Sequence, residues 1–355
     1  VSGLRGAIIT QVLDEADPVL GFAVGWVNAL AARLVQVETI CLSRGDASLA
    51  PNVHVTVLPA GRLARYRRVR SVLGRLAHDG GLDFVLAHMC PSYAVAATVP
   101  TRRAPTFLWY AHSSVTRMLR MAERRCDRVF SCSTASYPRR SPRLVVVGHG
   151  IDTERFAPAD EGEGANGLTI CSVGRITKSK RLDLLVEALA RCRVRCPQVR
   201  FGCRIVGPAD EQYLGGLRSL IERSGLGDSV RIEPPLAHGD VARVYQTSDV
   251  VANMTARHSL DKATLEAMAC GCLVLTTNGA FAPVLGEHAK LMVQADASAD
   301  ALAGAIERLA SLDAATRRRV GGELRDIVVR EHSLPRMMDR IVGEIHAVCS
   351  ARGLR

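Results

Sequence analysis

No apolar run in this 355-residue chain approaches the roughly 20 residues that a bilayer-spanning helix needs, which argues against an integral membrane protein. The opening stretch, Val1 to Thr10, enters a strand-like pattern without the apolar core of a signal peptide, so a cytoplasmic location is expected. The 11 cysteines lack the spacing of a metal site. Cys192 and Cys196 share a helix face, and Cys270 and Cys272 flank a glycine, but neither pair has a second pair to complete a tetrahedron. They read as buried thiols of a reducing compartment. No Gly-x-Gly-x-x-Gly follows an opening strand and no Walker A sequence occurs, which weakens dinucleotide and P-loop readings. Gly162, Gly164 and Gly167 match that glycine spacing by letter, but they precede a strand. No Asp-x-Asp stands at a strand end to hold a metal. Aromatic residues make up only 4% of the chain, and no aromatic-interleaved basic platform for nucleic acid is present.

What the chain does have is size and ordinary globular composition. Its length fits two domains, with 48% apolar and 23% charged residues. Charge is unevenly distributed: residues 1–150 carry 19 Arg, no Lys and 9 acidic residues, so nearly all of the net +11 lies there. Arg62, Arg65, Arg67, Arg68, Arg70 and Arg75 crowd one expected helix. Such a patch is either a solvated face or a surface for anionic lipid headgroups.

Strand and helix patterns alternate through both halves, which predicts parallel sheets covered by helices. In the first half strands are expected at 7–13, 36–42, 53–58, 83–87, 106–110, 128–131 and 144–147, with helices at 22–35 and 62–77. Residues 148–167, rich in Gly and Glu, mark the boundary. The alternation restarts at Leu168, with strands at 168–173, 199–206, 230–233, 249–253 and 272–276. Helices are expected at 181–193, 211–224, 240–247, 263–269, 298–312, 314–331 and 334–351. In open α/β sheets ligands sit beyond the carboxyl ends of the strands, so the residues that follow strands carry most weight.

Four such places stand out. Ser172-Val173-Gly174-Arg175-Ile176-Thr177-Lys178-Ser179-Lys180-Arg181 leaves a strand and enters a helix. Cations bracketing such a turn make either a diphosphate cradle or a solvated basic loop. Ser259-Leu260-Asp261-Lys262 leads into the helix 263–269, which stops at Gly271, a residue suited to a left-handed C-terminal position. Glu266 lies in the first turns of that helix, either accepting from ligand hydroxyls or complementing the helix dipole. Gly21 opens the helix carrying Phe22, Trp26 and Asn28, either as an ordinary turn or to let a ligand approach the backbone. His112 follows the strand ending at Trp109-Tyr110, either as a structural residue or to hydrogen-bond a substrate hydroxyl or phosphate and handle a proton.

Leu265-Glu266-Ala267-Met268-Ala269-Cys270-Gly271 resembles the donor-site helix of the retaining glycosyltransferases of family 4, also called group 1 glycosyltransferases. Gly174, Arg175 and Lys180 resemble that family's Val-Gly-Arg-Leu…Lys-Gly motif, with Arg181 where glycine is usual. The family pairs two glutamates with seven residues between them. Glu266 takes the second position, but His258 takes the first, which usually touches the donor sugar. Ser259 to Lys262 resembles a sub-group pattern in which Asp-Lys precedes the helix, and His149-Gly150-Ile151-Asp152 resembles the interdomain segment.

The resemblance covers most of the chain and is strongest from 168 to 280. It implies an α/β protein of GT-B fold, with two Rossmann-like, doubly wound parallel-sheet domains facing each other across a cleft. Residues 1–150 would form the acceptor domain, 151–167 a linker and 168–332 the nucleotide-sugar donor domain, with the helix of 333–355 crossing back to the first domain. The implied reaction is metal-independent, retaining transfer of a sugar from a nucleotide-diphosphate sugar to a glycan or glycolipid, without a cofactor. Arg175 and Lys180 would stabilise the leaving diphosphate and Glu266 would bind the ribose. Gly174, His258, Ser259, Asp261, Lys262 and Leu265 would surround the donor. His112 would contact substrate, and Gly21, Phe22 and Trp26 would line the acceptor side. The enzyme would work at the inner membrane face through Arg62, Arg65, Arg67, Arg68 and Arg70. Two other readings keep the fold: a nucleotide-sugar-binding protein of weakened activity, because the first glutamate is missing, and a sugar-nucleotide epimerase.

Overall fold

A computed structural model describes residues 3–101, 103–159, 167–256 and 259–353. The chain divides into two units, Val1–Gly150 with His332–Arg355, and Ile151–Glu331.

The first unit is built on a seven-stranded sheet. Its strands lie in the order Val53–Val57, Gln36–Cys41, Arg5–Ile9, Phe84–His88, Thr106–Trp109, Arg128–Ser131 and Leu144–Val146, all parallel. The central strand Phe84–His88 is buried along its whole length, as an apolar strand covered on both faces must be. The expected strand 7–13 is in fact two. Arg5–Ile9 joins the main sheet, whereas Val12–Leu13 pairs with Ser43–Arg44 in a separate ladder. The helix Arg62–His78 lies where periodicity places it, and Phe22–Ala31 starts as expected but ends before the expected residue 35. Two helices, Pro91–Ala97 and Arg117–Arg125, have no counterpart in the pattern reading. The first is seven residues, too short to display a period. The second buries only Leu119 and Ala122 and is otherwise recognisable by its cap, Thr116, whose side chain accepts from the Leu119 amide.

The last helix, Leu334–Ala351, packs on this first unit. It buries Met337, Met338, Ile341 and Ile345 fully, and Asp339 pairs with Arg33 at 2.7 Å. Where the chain leaves the unit, Gly150 has φ +68°, and a Cβ there would lie 2.5 Å from the Met337 side chain and 2.8 Å from Trp26 Nε1. Only glycine satisfies both the backbone angle and the space.

The second unit holds a five-stranded parallel sheet in the order Val230–Glu233, Phe201–Val206, Leu168–Val173, Val250–Asn253 and Leu273–Thr276. Residues 151–159, expected to be linker, are instead part of this unit. Phe156 is fully buried, and Arg325 of the Ala314–His332 helix donates to the carbonyls of Phe156 (2.9 Å), Thr153 (3.0 Å) and Ala269. That helix meets the end of the Lys262–Ala269 helix at a glycine pair, Gly321 against Gly271. Gly271 has φ +86°, the left-handed position anticipated for it.

All 11 cysteines are thiols; ten are buried and Cys196 is half-buried. Burial pushes Cys90, Cys126 and Cys171 up to about 12, so none of them ionises near neutral pH.

A Cβ on Gly321 would stand 2.1 Å from the Gly271 carbonyl oxygen, a backbone atom that cannot swing away. Gly321→Ala should therefore destabilise the second unit by about 2 kcal/mol or more, read as a lower urea midpoint at unchanged slope.

Candidate functional site

The site grows from adjacent strand ends in the second unit. Strand Leu168–Val173 stops at Gly174, whose φ of +136° turns the chain out of the sheet. Gly207, just beyond the neighbouring strand, has φ +147°, and a Cβ there would lie 2.1 Å from the Gly174 carbonyl oxygen. Two side-chain-free positions thus let two strand ends touch. Ile176 anchors the turn from within at 1% exposure, its amide donating to the Pro208 carbonyl at 2.8 Å. Arg175, between Gly174 and Ile176, is left exposed.

Lys178–Lys180 then forms one 3-10 turn, and the helix Leu182–Arg195 begins after Arg181. Arg181 has φ +50° and ψ +45°, a left-handed conformation. That backbone favours glycine, and an arginine there costs roughly 1–2 kcal/mol.

Lys180 reaches across to the next strand connection. Its Nζ forms an ion pair with Asp261 Oδ2, the side chains being 23% and 18% exposed. The two strands that lead into these connections are neighbours, with Ile170 opposite Val250 and Cys171 opposite Val251. Asp261 has a second task. Its Oδ1 accepts from the Ala263 amide at 3.1 Å, capping the helix Lys262–Ala269. One carboxylate therefore starts that helix and binds the cation expected to face a diphosphate.

Further along the same helix Glu266 is 5% exposed, and its Oε1 lies 2.9 Å from His238 Nε2. The His238 ring meets Phe156 edge-on at 5.2 Å. Tyr245 is fully buried nearby, and its phenol is pushed well above its ordinary range, first by burial and then by the charges of Glu266 and Asp261. The loop before the helix is fixed by Asn278, which donates to the Ser259 carbonyl at 2.8 Å. Asn253, at the strand end, donates to the Thr264 hydroxyl at 2.9 Å.

Several expectations change. Leu265, expected at the donor, is fully buried in a helix whose residues from Thr264 to Ala269 are all buried. Trp26, expected on the acceptor side, is 2% exposed; its Nε1 donates to the Gly150 carbonyl at 3.2 Å, and its ring packs on His88 and Trp109. It is a core residue. Gly21 has φ −53° and ψ −28°, ordinary helical angles, so its backbone makes no special demand for glycine. Phe22 is half-buried, 5.4 Å from the Trp26 ring. His112 is half-buried and its Nδ1 accepts from the Ser114 amide at 3.0 Å, which orients the ring for its other nitrogen. Lys262 begins the helix, half-buried, and His258 lies outside the described residues.

His238 was not legible as a site residue. It is 28 positions from Glu266, on a different strand–helix unit, and only the fold brings them together. Glu287, His288 and Glu323 also approach one another closely enough for a cation. Glu323 already pairs there with His288 at 2.8 Å and Arg319 at 2.7 Å.

The model of the glycosyl transferases group 1 family matches residues 167–311, which contain both strand connections. The second unit is thus similar, over residues 167–311, to a group 1 glycosyl transferase domain. Over 167 residues the chain is 33% identical to the D-inositol 3-phosphate glycosyltransferase of Actinosynnema mirum, covering 42% of this chain and 39% of that protein. It is 29% identical to a phosphatidylinositol N-acetylglucosaminyltransferase subunit from Arabidopsis thaliana, covering 48% of this chain and 37% of that protein. The chain thus spans less than half the length of these relatives.

Likeness to solved structures runs the whole length. Anabaena HepE, in complex with UDP and glucose, aligns with TM-score 0.75 at 18% identity, covering 97% of this chain and 100% of that one. Sucrose-phosphate synthase from Thermosynechococcus elongatus aligns with TM-score 0.76 at 16% identity, covering 98% and 100%. Identity this low speaks for the fold alone, two Rossmann-like units of the GT-B glycosyltransferases.

The double role of Asp261 in the glycosyl transferase domain is separable. Asp261→Asn keeps the cap and loses the ion pair, whereas Asp261→Ala loses both. Urea denaturation should place the alanine variant about 1 kcal/mol below the asparagine variant.

Proposed function

We propose that the protein is a glycosyltransferase that moves a sugar from a nucleotide-diphosphate sugar to a glycan or glycolipid, with retention and without a metal. The observation that carries this reading is the ion pair of Lys180 with Asp261. It joins, inside the group 1 domain, the two strand connections that bear the cations and Glu266. Anabaena HepE, of the same fold, was captured with UDP and with UDP-glucose.

Departure of the nucleoside diphosphate concentrates negative charge on its oxygens while positive charge develops at the anomeric carbon. Arg175, exposed beside Gly174, and Lys180 would stabilise that leaving group more in the transition state than in the ground state. Glycine at position 174 keeps side-chain bulk out of the space beside Lys180, whose Nζ is 3.7 Å from where a Cβ would be. Asp261 holds Lys180 in place before the donor arrives, and the diphosphate competes for the same ammonium. Glu266 would accept from the ribose hydroxyls. Fixed cations replace the metal, and retention proceeds without an assigned protein nucleophile. Arg175→Ala and Lys180→Ala should each lower turnover by about 10²–10³-fold with the fold intact, and EDTA should leave wild-type turnover unchanged. Wild-type rates in both variants would sink the assignment.

The acceptor side is proposed to be the Arg-rich first unit at an anionic membrane surface. Arg62, Arg67, Arg68 and Arg70 are exposed on the Arg62–His78 helix with Leu63 beside them, while Val69, Val72 and Leu73 face the core. Arg65 is half-buried and donates to the Pro59 carbonyl at 3.1 Å. The Actinosynnema and Arabidopsis relatives are named for inositol phosphate and phosphatidylinositol, both anionic. No helix among the described residues is long and apolar enough to cross a membrane. Replacing the four exposed arginines with Gln should reduce co-sedimentation with phosphatidylglycerol-containing vesicles. Binding that ignores both the substitutions and the lipid charge would exclude the helix as an anchor.

A further inference from the structure

We propose that His238 is the positioning residue that aims the Glu266 carboxylate at the nucleotide ribose, an inference that rests on the donor-site reading above. The Glu266 side chain is only 6% exposed, and polar atoms buried this deeply need hydrogen-bond partners. His238 Nε2 lies 2.9 Å from Oε1, and no other described side chain is hydrogen-bonded to that carboxylate. The histidine is itself held. It begins the His238–Gln246 helix, and its ring packs edge-on against Phe156 at 5.2 Å and 64°. Phe156 is fully buried, and its carbonyl is gripped by Arg325 at 2.9 Å. The ring therefore has little freedom to turn.

A carboxylate pinned at one oxygen has a fixed plane. Its second oxygen and the remaining lone pair of the first then point in set directions, which suits the two adjacent hydroxyls of a ribose. Without the pin, Glu266 can rotate about its terminal torsion and satisfy the hydroxyls only part of the time. His238 thus contributes selectivity for a ribonucleotide without touching it.

The test compares a ribonucleotide with the same nucleotide lacking the hydroxyls. UDP, GDP and ADP are titrated calorimetrically against the full chain, followed by the 2′,3′-dideoxy form of the tightest binder. Wild type should prefer the ribonucleotide by about tenfold or more. His238→Phe keeps a ring against Phe156 and removes the hydrogen bond, and His238→Ala removes both. Each should bring the preference close to one while leaving dideoxynucleotide affinity within about twofold of wild type. His238→Gln, whose amide reaches a similar point, should restore part of it. A merely structural role would weaken both nucleotides alike, and that result, or an undiminished preference in His238→Phe, overturns the proposal. Should wild type and Glu266→Gln both bind the two nucleotides equally, the ribose role of Glu266 fails first and takes the inference with it.

Discussion

The arrangement of the second unit depends on one ion pair between neighbouring strand connections. Lys180 and Asp261 are 81 residues apart in sequence, yet their charges meet because the strands that precede them lie side by side. The pair is partly sheltered from water, where an isolated charge on either side would be unfavourable. Asp261 holds the ammonium with one oxygen and with the other caps the helix that bears Glu266. A surface ion pair of the same chemistry would contribute little. Here the position in the fold matters more than the energy.

Around that pair the fold repeats one device: backbone brought close by removing side chains. Gly174 with Gly207 and Gly271 with Gly321 each place one main chain against another's carbonyl. The first contact shapes the turn from which Arg175 emerges, and the second closes the far end of the Glu266 helix. Fixed ends on both sides leave the turns that bear Glu266 little room to drift.

Most of the architecture was legible because it follows from local rules. Strands Arg128–Ser131, Leu168–Val173 and Val230–Glu233 and the helix Leu334–Ala351 have the bounds that apolar pattern assigns them. Pattern failed where an element was short or mostly exposed, as in Pro91–Ala97 and Arg117–Arg125. The sequence singles out the stretches Gly174 to Lys180 and Asp261 to Glu266, but not the contacts between their side chains and the rest of the unit. Nothing in the letters says that Asp261 faces Lys180, or that His238 faces Glu266, because those contacts are made by the sheet order. Trp26 and Leu265 were misplaced for a related reason. Proximity in sequence to a strand end does not reveal which way a side chain points, and both point inward.

The cysteines have a practical consequence. Ten of the eleven sulfurs are enclosed, and burial keeps those of Cys90, Cys126 and Cys171 protonated. Alkylating reagents attack the thiolate, so they can reach these atoms only when the surrounding element opens. Cys126 and Cys349 lie in the first unit and Cys171 and Cys272 in the second, so the molecule carries a native clock in each half. The order in which the sulfurs become modified ranks how readily each part of the chain breathes.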